Sequence, residues 1–334
     1  MTLRTRKPTG KPPWPILLLA GRPKAGKSYA AAAASASPMV GRALWIPIGE
    51  DDPDELAGIP GADFDVVEHD GTYRDIVQAI RASVVELSSD DTPGLIVVDS
   101  MSGVWGLLTD EAQEIANERA ARKAAKYGKA VPEDDAPISM DLWNRAKKRW
   151  TAVLDILRGH QGPVILTARL DETAEVNDRG EPTGRKQWKV QAHKSLPWDA
   201  GAIVEMPEPG TAVLTGCRSL RMPVPVGEHR TLPDFSVEKL WTAMGLADGA
   251  STRTHSAATA EQSLRADQSA AADHERRQAV DALYDAWVRS GRGDGDDLSA
   301  AFTQRFQGVP SSAGTTEQFR TFLTEITSGN GGQQ

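Results

Sequence analysis

The stretch GRPKAGKS, residues 21–28, follows an apolar run (16–20) and precedes an alanine-rich stretch (30–34). This succession predicts a strand, a tight turn and a helix. The glycines at positions 21 and 26 let the backbone bend so that successive N–H groups point at phosphate oxygens. A helix that begins at this turn directs its positive end towards the same oxygens. The stretch therefore predicts a P-loop at the start of an α/β domain.

The predicted loop has a role for each residue type that it contains. Lys27 supplies a mobile positive charge for the β- and γ-phosphates, and the Ser28 hydroxyl is a ligand for Mg²⁺. Lys24 either lines the phosphates or faces water. ATP and Mg²⁺ are the implied cofactors. The predicted nucleotide-binding residues are Gly21, Arg22, Pro23, Lys24, Ala25, Gly26, Lys27, Ser28 and Tyr29.

Short apolar runs alternate with helix-period stretches as far as Ala168, which predicts an α/β fold with a mainly parallel central sheet. The runs are rich in Ile, Leu and Val, as expected for strands buried on both faces. The predicted strands are 16–20, 43–48, 95–99 and 164–168. The predicted helices are 28–36, 72–87 and 139–157.

The sequence beyond Ala168 changes to shorter β-like pieces, including a predicted hairpin with its turn at 178–184. Residues 246–273 are rich in Ala, Ser, Thr, Gln and Gly, which predicts a disordered linker. Three short amphipathic helices follow, with Leu, Trp and Phe side chains for a small shared core. The predicted organisation is a flexible basic arm (1–14), a nucleotide-binding domain (15–245), the linker (246–273), a helical domain (274–327) and a disordered tail (328–334).

Polar side chains lie at the ends of three of the predicted strands. Asp99, in GLIVVDS, is the predicted Mg²⁺ ligand that acts together with Ser28. Glu50 follows the strand in ALWIPIGEDD and is the candidate catalytic carboxylate, although an acidic cluster after a strand also suits a helix N-cap. Thr167, in PVILTAR, is either a γ-phosphate sensor or an ordinary strand end. A metal site and a catalytic site are thus predicted beside the P-loop.

The order of the motifs GRPKAGKS, ALWIPIGEDDP, LIVVDSMSGVW and PVILTAR resembles the RecA-like ATPase core over about residues 15–242. It is most similar to the phage-encoded RecA-like (Sak-type) ATPases of single-strand annealing and recombination. The resemblance implies ATP hydrolysis with Glu50 as the catalytic carboxylate, and a homo-oligomer. It also implies a basic residue that reaches the nucleotide of the neighbouring subunit, for which Lys194 is the first candidate, followed by Lys189 and Arg185. A long amino-terminal oligomerisation domain is missing, so both a ring and a filament stay open.

A basic cluster around an aromatic residue suggests that the predicted hairpin binds single-stranded DNA. The candidate DNA-binding residues are Arg185, Lys186, Trp188 and Lys189. A solvated hairpin face would show the same pattern, and the basic residues of helix 139–157 fit a solvated face better. The net charge of -8 gives no global indication of nucleic-acid binding.

The single cysteine, Cys217, suits a reducing cytoplasm, that of the bacterial host if the chain is phage-encoded. No apolar segment approaches the ~20 residues that span a bilayer. We therefore expect no membrane association.

The predicted function is a Mg²⁺-dependent ATPase that binds single-stranded DNA. The alternatives are an ATP-driven regulator or motor acting on protein partners, and a P-loop kinase for a small molecule. The carboxy-terminal helices either recruit a single-strand-binding protein or another replication partner, contact DNA, or form a small stabilising appendage.

Overall fold

A computed structural model of the chain describes residues 3, 5–128, 134–176, 182–225, 227–253 and 260–328. The strands are β1 (Ile16–Gly21), β2 (Ala43–Pro47), β3 (Asp65–Val66), β4 (Leu95–Asp99), β5 (Val164–Val176), β6 (Pro182–Val190), β7 (Ala202–Met206), β8 (Val213–Cys217) and β9 (Arg230–Thr231). The helices are α1 (Lys27–Ala34), α2 (Tyr73–Glu86), α3 (Met101–Lys126), α4 (Met140–Gly159), α5 (Leu196–Asp199), α6 (Val237–Met244), α7 (Ala260–Arg289), α8 (Gly295–Arg305) and α9 (Thr316–Ser328). No helix in these described ranges is long and apolar enough to cross a membrane.

The central sheet has the strand order β3-β2-β4-β5-β1-β7-β8-β9. It is parallel from β3 to β7, and β8 and β9 are added antiparallel at one edge. Beyond the parallel sheet, the second half of β5 pairs antiparallel with β6 and forms the predicted hairpin. The predicted α/β fold class, with a mainly parallel sheet, a hairpin region and a helical module, is confirmed.

Side chains alternate across the sheet and build a separate core on each face, because successive strand residues point to opposite sides. Ile46 and Val98 lie in the core that α2, α3 and α4 cover. Trp45 and Val97 lie in the opposite core, which α1 and α6 cover. Both faces are therefore buried, and the carboxyl ends of the parallel strands are left as the edge where polar side chains collect.

The first compact unit extends in both directions beyond the bounds of 15–245 that the sequence predicts for the nucleotide-binding domain. Residues 1–255 form one compact unit. Trp14, predicted in a flexible arm, is 5% exposed and packs edge-on against Trp241 at a ring distance of 5.4 Å. Leu246, predicted in the linker, is 3% exposed, and Ser251 pairs with Pro13. The polar, small-residue composition after position 245 concealed these anchoring contacts.

The second compact unit comprises residues 256–334. Its first described helix, α7, begins at Ala260, inside the stretch predicted to be a disordered linker as far as residue 273. The Ala, Glu, Gln and Arg residues of this segment have high helix propensity, which the composition argument ignored. Residues 254–259 and 329–334 lie outside the described residues. The buried core of the unit contains the predicted aromatic and leucine side chains Leu283, Trp287, Phe302, Phe319 and Phe322.

Candidate nucleotide-binding and catalytic site

The backbone of the P-loop requires glycine at both motif positions. Gly26 has φ 95°, in the left-handed region that favours glycine, and immediately precedes α1. A Cβ at Gly21 would lie 2.8 Å from the carbonyl oxygen of Met206 on β7, so no side chain fits there. Lys24, between them, also has a positive φ of 60°. The loop thus adopts a tight turn that leads its backbone into the amino end of α1.

Lys27, the first residue of α1, folds back over the loop. Its Nζ donates to the carbonyl oxygens of Gly21 and Arg22, at 3.1 Å each. Burial lowers the pKa of Lys27, and the nearby carboxylates of Glu50 and Asp99 oppose that shift. The ammonium group is therefore held by weak neutral acceptors at the loop, where a phosphate oxygen would be a stronger partner.

Asp99 connects the P-loop to strand β5. It lies at the end of β4, is 5% exposed and accepts a hydrogen bond from Ser28 Oγ to Oδ2 at 2.9 Å. Thr167 on β5, which is fully buried, donates its hydroxyl to Oδ1. Burial raises the pKa of Asp99, and these two hydroxyls oppose the shift. The hydroxyl of Ser28 and the carboxylate of Asp99 are hard oxygen donors, which fit Mg²⁺ held partly by phosphates.

Glu50 lies in the loop after β2, on the same edge of the sheet. Its Oε1 accepts from Ser100 Oγ at 2.7 Å and from Arg169 Nε at 2.8 Å. Burial alone would raise the pKa of Glu50, but these donors hold it below its ordinary value. Asp52, two residues after Glu50, instead accepts from the backbone N–H of Asp54. The acidic cluster therefore divides into a carboxylate that faces the site and a turn-forming side chain.

The remaining predicted loop residues differ in their exposure. Ala25 is 1% exposed, whereas Tyr29 is 57% exposed on the outer face of α1. Arg22, Pro23 and Lys24 are exposed. The Arg22 guanidinium lies 4.6 Å from the ring centroid of Trp188, so the loop contacts the hairpin. Sequence reasoning placed both residues in candidate sites but gave no signal that they touch.

The predicted DNA-binding residues of the hairpin have acidic neighbours. Lys186 Nζ pairs with Glu172 at 2.6 Å. Lys189 lies opposite Asp171 in the strand register. The predicted basic cluster was based on the charges of one strand, whereas the carboxylates on β5 come close to it only when the two strands pair. Trp188 is 39% exposed, and the Arg185 side chain lies outside the described part of the chain.

Lys194 lies between β6 and α5. It is exposed in the turn before α5, and no contact joins it to the loop within the described residues. Burial lowers the pKa of the adjacent His193, and the charges of Lys147 and Lys194 add to that shift. The His193 ring packs against Trp105 at 4.9 Å. The predicted role of Lys194 on a neighbouring subunit therefore stays a prediction.

Two contacts of the site were not anticipated from the sequence. Arg169 bonds to Glu50 and, through its NH2 group, to the carbonyl oxygen of Gly49 at 2.8 Å. Ser100 donates to Glu50 and also caps α3 by accepting from the N–H of Gly103. Both residues stand in the strand-end motifs quoted above, directly after Asp99 and two residues after Thr167. Their position at the strand ends could have indicated a role in the site, but nothing in the sequence indicated that both bond to Glu50.

Comparison with protein-family models and with curated proteins gave no match. Among solved structures, the chain is similar to the RadB recombinase, with a TM-score of 0.35, 18% identity, and coverage of 68% of this chain and 90% of that chain. It is also similar to an ATPase from the type III secretion system of pathogenic bacteria, with a TM-score of 0.34, 12% identity, and coverage of 94% of this chain and 81% of that chain. Both TM-scores are below 0.5, so the functional argument rests on the site itself.

Proposed function

We propose that the protein is a Mg²⁺-dependent ATP hydrolase of RecA-like type that binds single-stranded DNA. The observation that carries the proposal is the hydrogen bond between Ser28 of the P-loop and Asp99 at the end of β4. It joins a phosphate-binding loop to a buried carboxylate, while Glu50 lies beside them. These are the groups that phosphoryl transfer to water requires.

The residues of the site have distinct tasks in this proposal. The loop N–H groups and Lys27 bind the phosphates and stabilise negative charge on the transferred group. Ser28 and Asp99 would hold Mg²⁺, which when bound neutralises charge on the β- and γ-phosphate oxygens. Glu50 accepts a proton from the attacking water. Thr167 fixes the orientation of Asp99 by donating to it.

The DNA-binding half of the proposal concerns the hairpin of β5 and β6. An exposed tryptophan with lysines on either side suits base stacking and phosphate contacts. The candidates are Arg185, Lys186, Trp188 and Lys189, and the ion pair of Lys186 with Glu172 predicts a modest affinity. We further propose a homo-oligomer in which Lys194 reaches a neighbouring nucleotide, and a role in phage-type recombination, annealing or replication in the bacterial cytoplasm. The carboxy-terminal helices would bind a replication partner.

ATP turnover with and without single-stranded DNA tests the proposal, on protein whose assembly size is measured by light scattering. We expect DNA to stimulate phosphate release, and K27A and E50Q to lower kcat about 10²–10⁴-fold. The double variant K186E/K189E should weaken DNA binding and reduce its salt dependence by about one to two phosphate contacts. K239A, on α6, is the matched surface control.

The outcomes separate the two halves of the proposal. Unchanged turnover in K27A contradicts the ATPase assignment. Absence of DNA binding at low salt contradicts the DNA assignment. ATP turnover that does not change with DNA, but that is lost when the second compact unit is deleted, favours an action on a protein partner. Phosphate transfer to a small acceptor without release of free phosphate favours a kinase.

A further inference from the structure

Arg169 is fixed at three points around the catalytic edge of the sheet. It lies on β5, and its backbone N–H donates to Ser102 Oγ, near the start of α3, at 2.9 Å. Its guanidinium donates to the Gly49 carbonyl oxygen and to Glu50 Oε1, each at 2.8 Å. The side chain thus connects β5 to the loop that carries Glu50, so that neither can shift without breaking a hydrogen bond.

The two carboxylate oxygens of Glu50 are not equivalent. Oε1 receives both donors, from Ser100 and from Arg169. Within the described residues, no hydrogen bond is made to Oε2. A carboxylate with one oxygen held by two donors has a fixed plane and presents the other oxygen in a fixed direction. The free lone pairs of Oε2 are therefore available to accept a proton.

The charged groups near Glu50 come from three other elements. Lys27 on α1 and Arg169 on β5 both favour the carboxylate form, whereas Asp99 on β4 lies close enough to interact with it unfavourably. Arg169 is the one of these that makes a direct hydrogen bond to Glu50. It therefore sets the direction of the carboxylate, not only its charge.

We propose that Arg169 is a positioning residue that holds Oε1 of Glu50 so that Oε2 faces the attacking water. This inference rests on the proposed function, because it assigns Glu50 the proton-accepting role. Arg169 acts through Glu50 and does not bind the nucleotide. Misplacement of a reacting group by about 1 Å lowers rates about 10²-fold, so the contact matters for kcat.

A purely structural role for the ion pair predicts a different result. The side chains of Arg169 and Glu50 are 47% and 26% exposed. A pair this exposed contributes at most about 1 kcal/mol to folding. Loss of the pair would leave the protein folded, and a structural role would change neither kcat nor the response to other catalytic variants.

A double-mutant cycle with R169A, E50Q and R169A/E50Q tests the inference. We expect R169A to lower kcat about 10²-fold while KM and the dissociation constant of ATP stay unchanged. The double variant should be no slower than E50Q, because Arg169 acts only through that carboxylate. Guanidinium ion added to the solution should raise the rate of R169A but not that of E50Q. R169K should recover part of the rate.

Arg42 provides the matched control. Its side chain is 48% exposed and pairs with Asp65 and Glu86, so R42A removes a comparable ion pair outside the site. We expect R42A to turn over at the wild-type rate. Thermal melts of every variant, together with direct binding of a fluorescent ATP analogue, separate a loss of fold from a loss of rate.

Three results would overturn the inference. In the first, R169A hydrolyses ATP at the wild-type rate although E50Q does not. In the second, the effects of R169A and E50Q multiply in the double variant, which places Arg169 on the nucleotide. In the third, R169A raises KM and leaves kcat unchanged. Absence of turnover in the wild-type protein contradicts the proposed function and the inference together, whereas the first three results leave the proposed function intact.

Discussion

At the scale of the single residue, the burial of Asp99 lowers the stability of the folded protein. Burial raises its pKa, so the folded protein binds a proton at Asp99 more readily than the unfolded chain does. Above that raised pKa the folded state carries an ionised carboxylate that is better solvated in the unfolded chain. Its only direct partners within the described residues, Ser28 and Thr167, are neutral hydroxyls. The ionised carboxylate therefore does not stabilise the fold.

The variant D99N should therefore be more stable than the wild type but inactive. Both hydroxyl partners can donate or accept, so they accommodate an amide. We expect a higher melting temperature in buffer without Mg²⁺ and nucleotide, with a larger gain at pH 8 than at pH 4. The gain shrinks at low pH because the wild-type carboxyl then takes up a proton and loses its penalty. Each kcal/mol of gain corresponds to about 2–4 °C.

Thermal melts at the two pH values check this expectation. Asp70 serves as the control, because backbone and side-chain donors of Thr72 lower its pKa. Its ionised form is favoured by the fold, so D70N should show no gain at pH 8. A melting temperature of D99N below that of the wild type at pH 8 would contradict the assignment.

At the scale of elements, β5 connects the catalytic edge to the hairpin. Its first half carries Thr167 and Arg169, which contact Asp99 and Glu50. Its second half pairs with β6, and the exposed Trp188 of β6 lies against Arg22 of the P-loop. The hairpin is therefore joined to the candidate nucleotide site in two ways, through one continuous strand and through a cation–π contact.

The contact between Trp188 and Arg22 should make this tryptophan a reporter of nucleotide binding. Phosphates that draw the Arg22 side chain or its loop inward would change the charge near the indole ring and hence its fluorescence. We expect ATP to change the emission of the wild-type protein and W188F to lose that change. Cation–π contacts at exposed sites contribute about 0.5–1 kcal/mol, so W188F should remain folded.

Trp198 is the matched control for this experiment. It is 79% exposed on α5 and makes no ring contact with a P-loop residue in the described ranges. W198F should keep the full ATP-induced change. If W188F also keeps it, the contact between the hairpin and the loop does not respond to nucleotide.

Some elements were predictable from the sequence because their signals are local. Strand β4 has the bounds predicted for it, and β1 differs by one residue, since each is an apolar run ended by Asp or Gly. The pair of Arg169 and Glu50 was not predictable, because 119 residues separate its members. Their meeting depends on how far β5 extends past its neighbour β4, and a single sequence carries no signal for that. The same limit hid the carboxylates of β5 opposite the hairpin lysines.

At the scale of the whole chain, Arg253 joins the last residues of the first compact unit to its first residues and to the segment before β5. Its guanidinium donates to the carbonyl oxygens of Trp14, Leu157 and Gly162. Burial lowers the pKa of Arg253 to about 10, so it remains charged at neutral pH. The Gln161 side chain bonds to the backbone of Arg253 in both directions, at 2.9 and 3.1 Å. This residue ties both ends of the unit to the base of β5.

The truncated proteins 1–255 and 1–245 should therefore behave differently. The first retains Leu246 and Arg253 and should melt cooperatively and hydrolyse ATP. The second loses the buried Leu246 and leaves three carbonyl groups without their donor. Hydrogen bonds to a charged group contribute about 1.5–3 kcal/mol each, and we expect at least 3 kcal/mol to be lost.

The point variant R253A should show the same loss in urea unfolding, and R253K a smaller one. R218A, which removes a single exposed bond to the carbonyl of Trp198, is the control. Equal stability of the two truncated proteins would contradict the assignment of residues 246–253 to the nucleotide-binding domain.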